Sequence, residues 1–153
     1  MTATVQLDLK HLSNLKTLPP ALRDQAYEAL SDPVRFMKLL KIARKEDGKL
    51  IPFEPTKEQI RLVKTIQRYR KVVIVKGRQI GISTVLRAYS LWKVYTSKHA
   101  LKYGVISFRD DSSKEMRDVD QIMYHEMPKF FHRELETDNA STTQFRDTKA
   151  RLS

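Results

Sequence analysis

The stretch from Lys71 to Thr84, K-V-V-I-V-K-G-R-Q-I-G-I-S-T, constrains this chain more than any other. Val72, Val73, Ile74 and Val75 form a β-branched run with the composition of a short strand buried on both faces. Gly77 and Gly81 bracket a polar turn, and Ser83-Thr84 open a long helical pattern. Strand, glycine-containing loop and helix N-terminus together are the layout of a phosphate-binding loop. Glycines let backbone N–H groups approach the phosphates, and the helix start adds partial positive charge. A hydroxyl in the first helical turn can complete the shell of a phosphate-bound Mg²⁺.

Against the pattern G-x-x-x-x-G-K-[ST], Gly81 and Ser83 fall in register. Ile82 stands in the lysine slot, however, and Lys76 in the first glycine slot. A loop with no cation near the β- and γ-phosphates binds nucleotide poorly. Lys76, at the other end of the loop, can fold back and supply that charge, and Arg78 offers a second cation. The plainer alternative is a strand–turn–helix with an exposed lysine.

Composition narrows the class. The 153 residues are enough for a domain with a real core, and 41% hydrophobic with 31% charged residues describes a globular chain. No apolar run reaches membrane-spanning length and no signal-peptide pattern is present, so no membrane partner is expected. The absence of cysteine excludes disulfides and thiol chemistry. The net charge of +11 favours a polyanion, nucleic acid first. Lys57, Arg61, Lys64, Arg68, Arg70, Lys71 and Lys76 stand close together with Glu58 alone against them, a binding surface or simply a solvated helix face.

Read in order, residues 1–17 form a loose arm with at most a short turn. Pro19-Pro20 starts a helix to about Leu30, and Asp32-Pro33 caps another to about Arg44. Lys45 to Pro55 reads as a loop turning at Gly48. Thr56 and Gln59 make a capping box for a helix to about Tyr69. Ser83 to Ser97 is the helix after the loop, with Ile82, Val85, Tyr89 and Trp92 on one apolar face, and Trp92 and Tyr95 in the core. Lys102 to Phe108 reads as a strand, and Ser112 with Glu115 as the capping box of a helix to about Met127. Arg109, Lys114 and Arg117 are candidates to face DNA, or a solvated face. Pro128 opens a short helical segment, and Thr143 to Ser153 forms a hairpin turning near Asp147-Thr148. His11, His99, His125 and His132 lack metal-ligand spacing.

K-G-R-Q-I-G-I-S-T resembles the variant Walker A loop of tailed-bacteriophage terminase large subunits, the DNA-packaging ATPases. A G/S-R-Q-x-G-x-[ST]-[ST] core is common there, and in some members the lysine sits at the start of the loop. The resemblance runs from about Phe53 to the C-terminus and includes Gln59. In many P-loop translocases and helicases a glutamine here reads adenine, its amide donating to N7 and accepting from N6. The implied cofactors are ATP and Mg²⁺, with Lys76 and Arg78 as the catalytic cations. Lys76 would neutralise the phosphates and Arg78 would sense the γ-phosphate. The amides of Gly77, Arg78, Gln79, Ile80, Gly81, Ile82 and Ser83 would cradle the phosphates, Ser83 would hold Mg²⁺, and Thr84 would touch phosphate.

The implied fold is α/β: an incomplete P-loop NTPase parallel sheet, preceded by an N-terminal helical segment over 1–52 and ending in a β-hairpin. Residues 53–153 would be the first part of the ATPase domain, stopping before the acidic Walker B strand and without the family's nuclease domain. The implied function is ATP binding within the motor that packages double-stranded DNA into the procapsid, in the host cytoplasm. Portal protein, terminase small subunit and further copies in a ring are the implied partners. Hydrolysis needs an acidic pair on a neighbouring strand. Asp110 and Asp111 offer only an interrupted version, which would suit a minimal kinase-like fold. A helicase-like motor fragment and a non-enzymatic basic nucleic-acid module are the other readings.

Overall fold

Helix α5 (Ile82–Thr96) is the element on which the others pack. In the computed structural model of the chain, burial extends beyond the expected face of Ile82, Val85, Tyr89 and Trp92. Ala88, Leu91, Val94 and Tyr95 are also buried, so the helix is covered on all sides. A helix apolar all round requires neighbours all round. It finds them in α3 (Pro33–Met37), α4 (Lys57–Arg68), α6 (Asp110–His125), β3 (Lys102–Tyr103) and β6 (Arg151–Leu152). The buried hydroxyls of Ser90 and Thr96 donate back to the carbonyls of Leu86 and Trp92, at 2.8 and 2.7 Å. The described residues are 12–75, 77, 80–104, 110–139 and 141–153, with 110–115 described for backbone alone.

Local signals set the first helices. After a single turn, α1 (Ser13–Lys16), helix α2 (Pro20–Ser31) starts at the proline pair. Asp32 then caps α3, its Oδ1 accepting from Val34 N–H at 2.8 Å and Arg35 N–H at 3.0 Å. The expected run to Arg44 is not made. Leu40 and Ile42 are two apart, which is strand spacing, and the chain buries Leu40 just ahead of the strand that carries Ile42. β1 (Lys41–Ala43) pairs antiparallel with β2 (Leu50–Pro52) around Gly48, whose φ is +69°. The expected loop is therefore a small hairpin.

The second sheet has the order β3-β6-β5-β4, with β4 (Leu135–Asp138) and β5 (Thr143–Phe145). Among the described residues parallel pairing is confined to β3 with β6; the other pairs are antiparallel. The expected terminal hairpin is present as β5–β6, and Lys149 at φ +56° completes its turn. Pro128 precedes a 3-10 turn, Lys129–Phe131. Helix α6 begins at Asp110, so Ser112 lies inside it and cannot be its N-cap. The molecule is thus mixed α/β, with two small sheets among the described residues.

The expected two-faced strand before the loop is absent. Among the described residues Val72 to Val75 pairs with no strand, and Val73 and Val75 are 92% and 96% exposed. β-propensity reflects packing on a pleated surface, and among the described residues no neighbour covers this run on both faces. A single hydrophobic cluster joins Leu12, Leu30, Phe36 and Leu40 to Tyr95, Phe145 and Leu152. The N-terminal helices and the later sheet therefore share one core.

Arg133 fastens that core to the terminal hairpin. Its guanidinium donates to the Tyr95 carbonyl at the end of α5, to Asp147 and to Thr148 Oγ1. It also lies over the Phe145 ring, 4.2 Å from the centroid. The last carbonyls of a helix lack intrahelical donors, and a buried arginine supplies one here. Tyr95 is equally central: its hydroxyl donates to Phe131 O at 2.7 Å and receives Asn14 Nδ2 at 3.3 Å.

Candidate functional site

The site is built from two helix starts that share one glutamine. Thr56 caps α4, its Oγ1 accepting from Gln59 N–H at 3.3 Å, and Gln59 Oε1 accepts in return from Thr56 N–H at 3.0 Å. The capping box expected from the sequence is present. The other end of the amide reaches the loop: Gln59 Nε2 donates to the carbonyls of Ile80 and Gly81, both at 3.2 Å. Gln59 is only 6% exposed, and both ends of its amide are engaged within the chain.

Gly81 sits where glycine is strongly favoured. Its φ is +67°, and a Cβ built there would lie 2.6 Å from Gln59 Nε2. It is the N-cap of α5, offers no side-chain cap, and its carbonyl accepts the Val85 N–H at 3.1 Å. The preceding amides, of Ile82, Ser83 and Thr84, fall in the first turn, where a helix has no internal acceptors. Ser83 is exposed there and Thr84 half-buried. Such a turn favours an anion through its N–H groups and its dipole.

The side chains divide by role. Ile82, in the lysine slot of the motif, is buried at the start of α5. Gly77 is exposed, and Ile80 is exposed at 47%. Lys76, Arg78 and Gln79 lie outside the described residues. Among the described residues no group of three or more His, Asp or Glu could hold a metal ion. Asp110 and Asp111 belong to the first turn of α6, not to a strand end. The strand expected to lead into them, Lys102 to Phe108, is seen at Lys102–Tyr103, with 105–109 outside the described residues.

Beside this region a hollow of about 440 Å³ lies between the end of α4, the 69–74 segment and α5. Tyr69, Arg70, Ile74, Tyr89, Lys93 and Tyr103 are among its walls. Burial, with the nearby Tyr103 second, pushes the Tyr89 hydroxyl up to about 12.

Arg117 corrects the expectation that it faces DNA or solvent. It is buried, donating to Asn139 O at 2.9 Å and to Asp138 Oδ1 at 2.8 Å. Arg109 and the side chain of Lys114 lie outside the described residues. Next to Arg117 a second buried arginine, Arg87 of α5, pairs with Asp120 of α6, Nε to Oδ1 at 2.6 Å. Burial first, and the like charge of Arg117 second, pull the Arg87 guanidinium down to about 10. Asp138 is held below the usual carboxylate range: burial would raise it, but hydrogen bonds from His125 and Thr143 and the charges of His125 and Arg117 outweigh that. The sequence reading missed this network. Its signal was an arginine inside the apolar run V-L-R-A-Y, which demands a carboxylate partner.

The chain matches no protein-family model, and no curated protein sequence matches it. Among the described residues no helix is long and apolar enough to cross a membrane.

Proposed function

We propose that the chain is the ATP-binding N-terminal part of a terminase-like motor that drives double-stranded DNA into a procapsid. The observation that carries this reading is Gly81, left-handed and pressed against Gln59, opening α5 with Ser83 exposed in its first turn. The loop motif K-G-R-Q-I-G-I-S-T supplies the cations Lys76 and Arg78. Lys76 neutralises the phosphates, Ser83 completes the Mg²⁺ shell, Thr84 touches phosphate, and Arg78 senses the γ-phosphate. Gln59 reads the adenine edge by releasing the Ile80 and Gly81 carbonyls, so base and loop compete for one Nε2.

The wider proposal is a P-loop sheet of which this chain supplies the first part. Its partners are DNA, portal protein, terminase small subunit and further copies in a ring, in the host cytoplasm. Hydrolysis requires carboxylates that α6 does not place at a strand end, so this chain binds ATP and turns over essentially none.

Titration of the 153-residue chain with Mg·ATP tests the reading. Binding should weaken at least tenfold in Lys76→Ala, and Ser83→Ala should abolish its Mg²⁺ dependence. Gln59→Ala should cost adenine nucleotides more than guanine nucleotides. No ATP binding at millimolar concentration would sink the proposal in favour of a basic module whose loop is only a turn. ATPase activity lost in Asp110→Ala or Asp111→Ala would favour a self-sufficient kinase-like domain.

A further inference from the structure

We propose that the exposed face of α4 is a docking surface for duplex DNA, engaged through its phosphates. The choice of DNA as the polyanion rests on the function proposed above; the surface itself rests on the following geometry. Lys57, Arg61, Lys64 and Arg68 are spaced four, three and four apart. At about 100° per residue they fall within an arc of roughly 60°, and at about 1.5 Å per residue the row is about 16 Å long. All four are exposed, and Arg70 and Lys71 extend the charge beyond the helix.

Elsewhere several surface cations are neutralised, and those without an ion pair among the described residues, such as Lys16, Lys38, Lys45 and Lys129, are scattered over different elements rather than set in a row. Arg35 pairs with Glu28, Lys41 with Glu126, Arg44 with Asp47, Arg146 with Glu134 and Lys149 with Glu136. None of the four α4 cations has an ion-pair partner among the described residues. Glu58, the one acid on the helix, stands about 100° away from Lys57. The row is also fixed in place. Val63 and Gln59 are buried beneath it, Ile60, Leu62 and Ile66 are half-buried, and the capping box pins the N-terminus.

This chemistry selects among polyanions. A helix that lies in a membrane surface exposes an apolar face beside its cations, and α4 turns its apolar face into the core. Single strands are held by free aromatic platforms, whereas the exposed Tyr69 ring has Arg68 over it, 5.5 Å from the centroid. A row of cations held at fixed spacing on a packed helix suits the regularly spaced phosphates along the groove edge of a stiff duplex. Four phosphates neutralised give a log–log salt slope of about −3.6, or roughly a 150-fold loss of affinity between 50 and 200 mM salt.

The test is fluorescence anisotropy of a labelled 30-base-pair duplex of arbitrary sequence, with the 153-residue chain, from 50 to 200 mM salt. The stripe variant carries Lys57→Gln, Arg61→Gln, Lys64→Gln and Arg68→Gln. A control of equal net charge carries Lys16→Gln, Lys38→Gln, Lys45→Gln and Lys129→Gln, all exposed positions off the stripe. Circular dichroism checks that each variant is folded, and Arg61→Gln/Lys64→Gln serves if the quadruple variant is not. The stripe variant should lose more than tenfold in affinity at 50 mM and about three units of slope, with the control within threefold of the parent. Equal losses in both variants would reduce the effect to overall charge and overturn the proposal. Stripe-dependent binding to phosphatidylserine vesicles without binding to duplex would overturn it too, in favour of a membrane surface. Mg·ATP titration of the same preparations separates the two proposals. ATP binding with an unchanged DNA slope removes the stripe alone, and a stripe-dependent slope without ATP binding removes only the nucleotide reading.

Discussion

Asp120 is the residue whose loss the molecule should tolerate least. It is 1% exposed and faces Arg87, itself 3% exposed, with the buried Arg117 3.9 Å from its Oδ2. Removing one member of a buried pair leaves the other charge in a poorly solvating interior, at a cost of about 3–5 kcal/mol. Here the orphaned Arg87 would also face Arg117 without a screening carboxylate. Asp120→Ala should therefore lose about that much in urea unfolding at neutral pH, with Asp120→Asn losing less because an amide oxygen still accepts. A loss under about 1 kcal/mol would mean that water reaches Arg87. This pair was not legible in the sequence. Arg87 and Asp120 lie 33 residues apart on different helices, and only the packing of α5 against α6 brings them together.

At the scale of elements, legibility followed how locally each was determined. Asp32-Pro33, Thr56 with Gln59, and the turn after Phe145 carry their own instructions, and all three are present. The strand β4 was missed because E-L-E-T-D is poor strand sequence; it forms through its pairing with β5, with Glu136 held by Lys149. Val72 to Val75 failed in the opposite direction, strand-like in composition but, among the described residues, without a paired strand or cover for Val73 and Val75. The loop into α5 lies between these cases. Its glycines were legible, but the contact that so strongly favours Gly81 was not. Gly81→Ala should cost about 1–2 kcal/mol from left-handed backbone alone, lowering the thermal midpoint by roughly 2–8 °C. The clash with Gln59 should add to that. In a double-mutant cycle, Gly81→Ala should therefore cost less in a Gln59→Ala background. Strict additivity would show that the two residues do not press on each other.

For the whole molecule, the sequence picked out the stretch leading into α5 but neither the central place of that helix nor how the chain closes around it. Pairing β6 with β3 brings residues far apart in sequence into one sheet, and a core shared from Leu12 to Leu152 follows. Arg133 then has a consequence for how this protein breathes. The terminal hairpin cannot peel away alone, because doing so would strip Asp147 and Thr148 from a guanidinium that is buried and bonded to α5. Opening should therefore be a joint event rather than fraying from one edge. Native-state hydrogen exchange should give the amides of 88–96 and of 143–152 a common opening free energy and a common dependence on denaturant. Arg133→Lys should uncouple them, letting the hairpin exchange first, and separate opening already in the parent protein would show that the hairpin was never fastened.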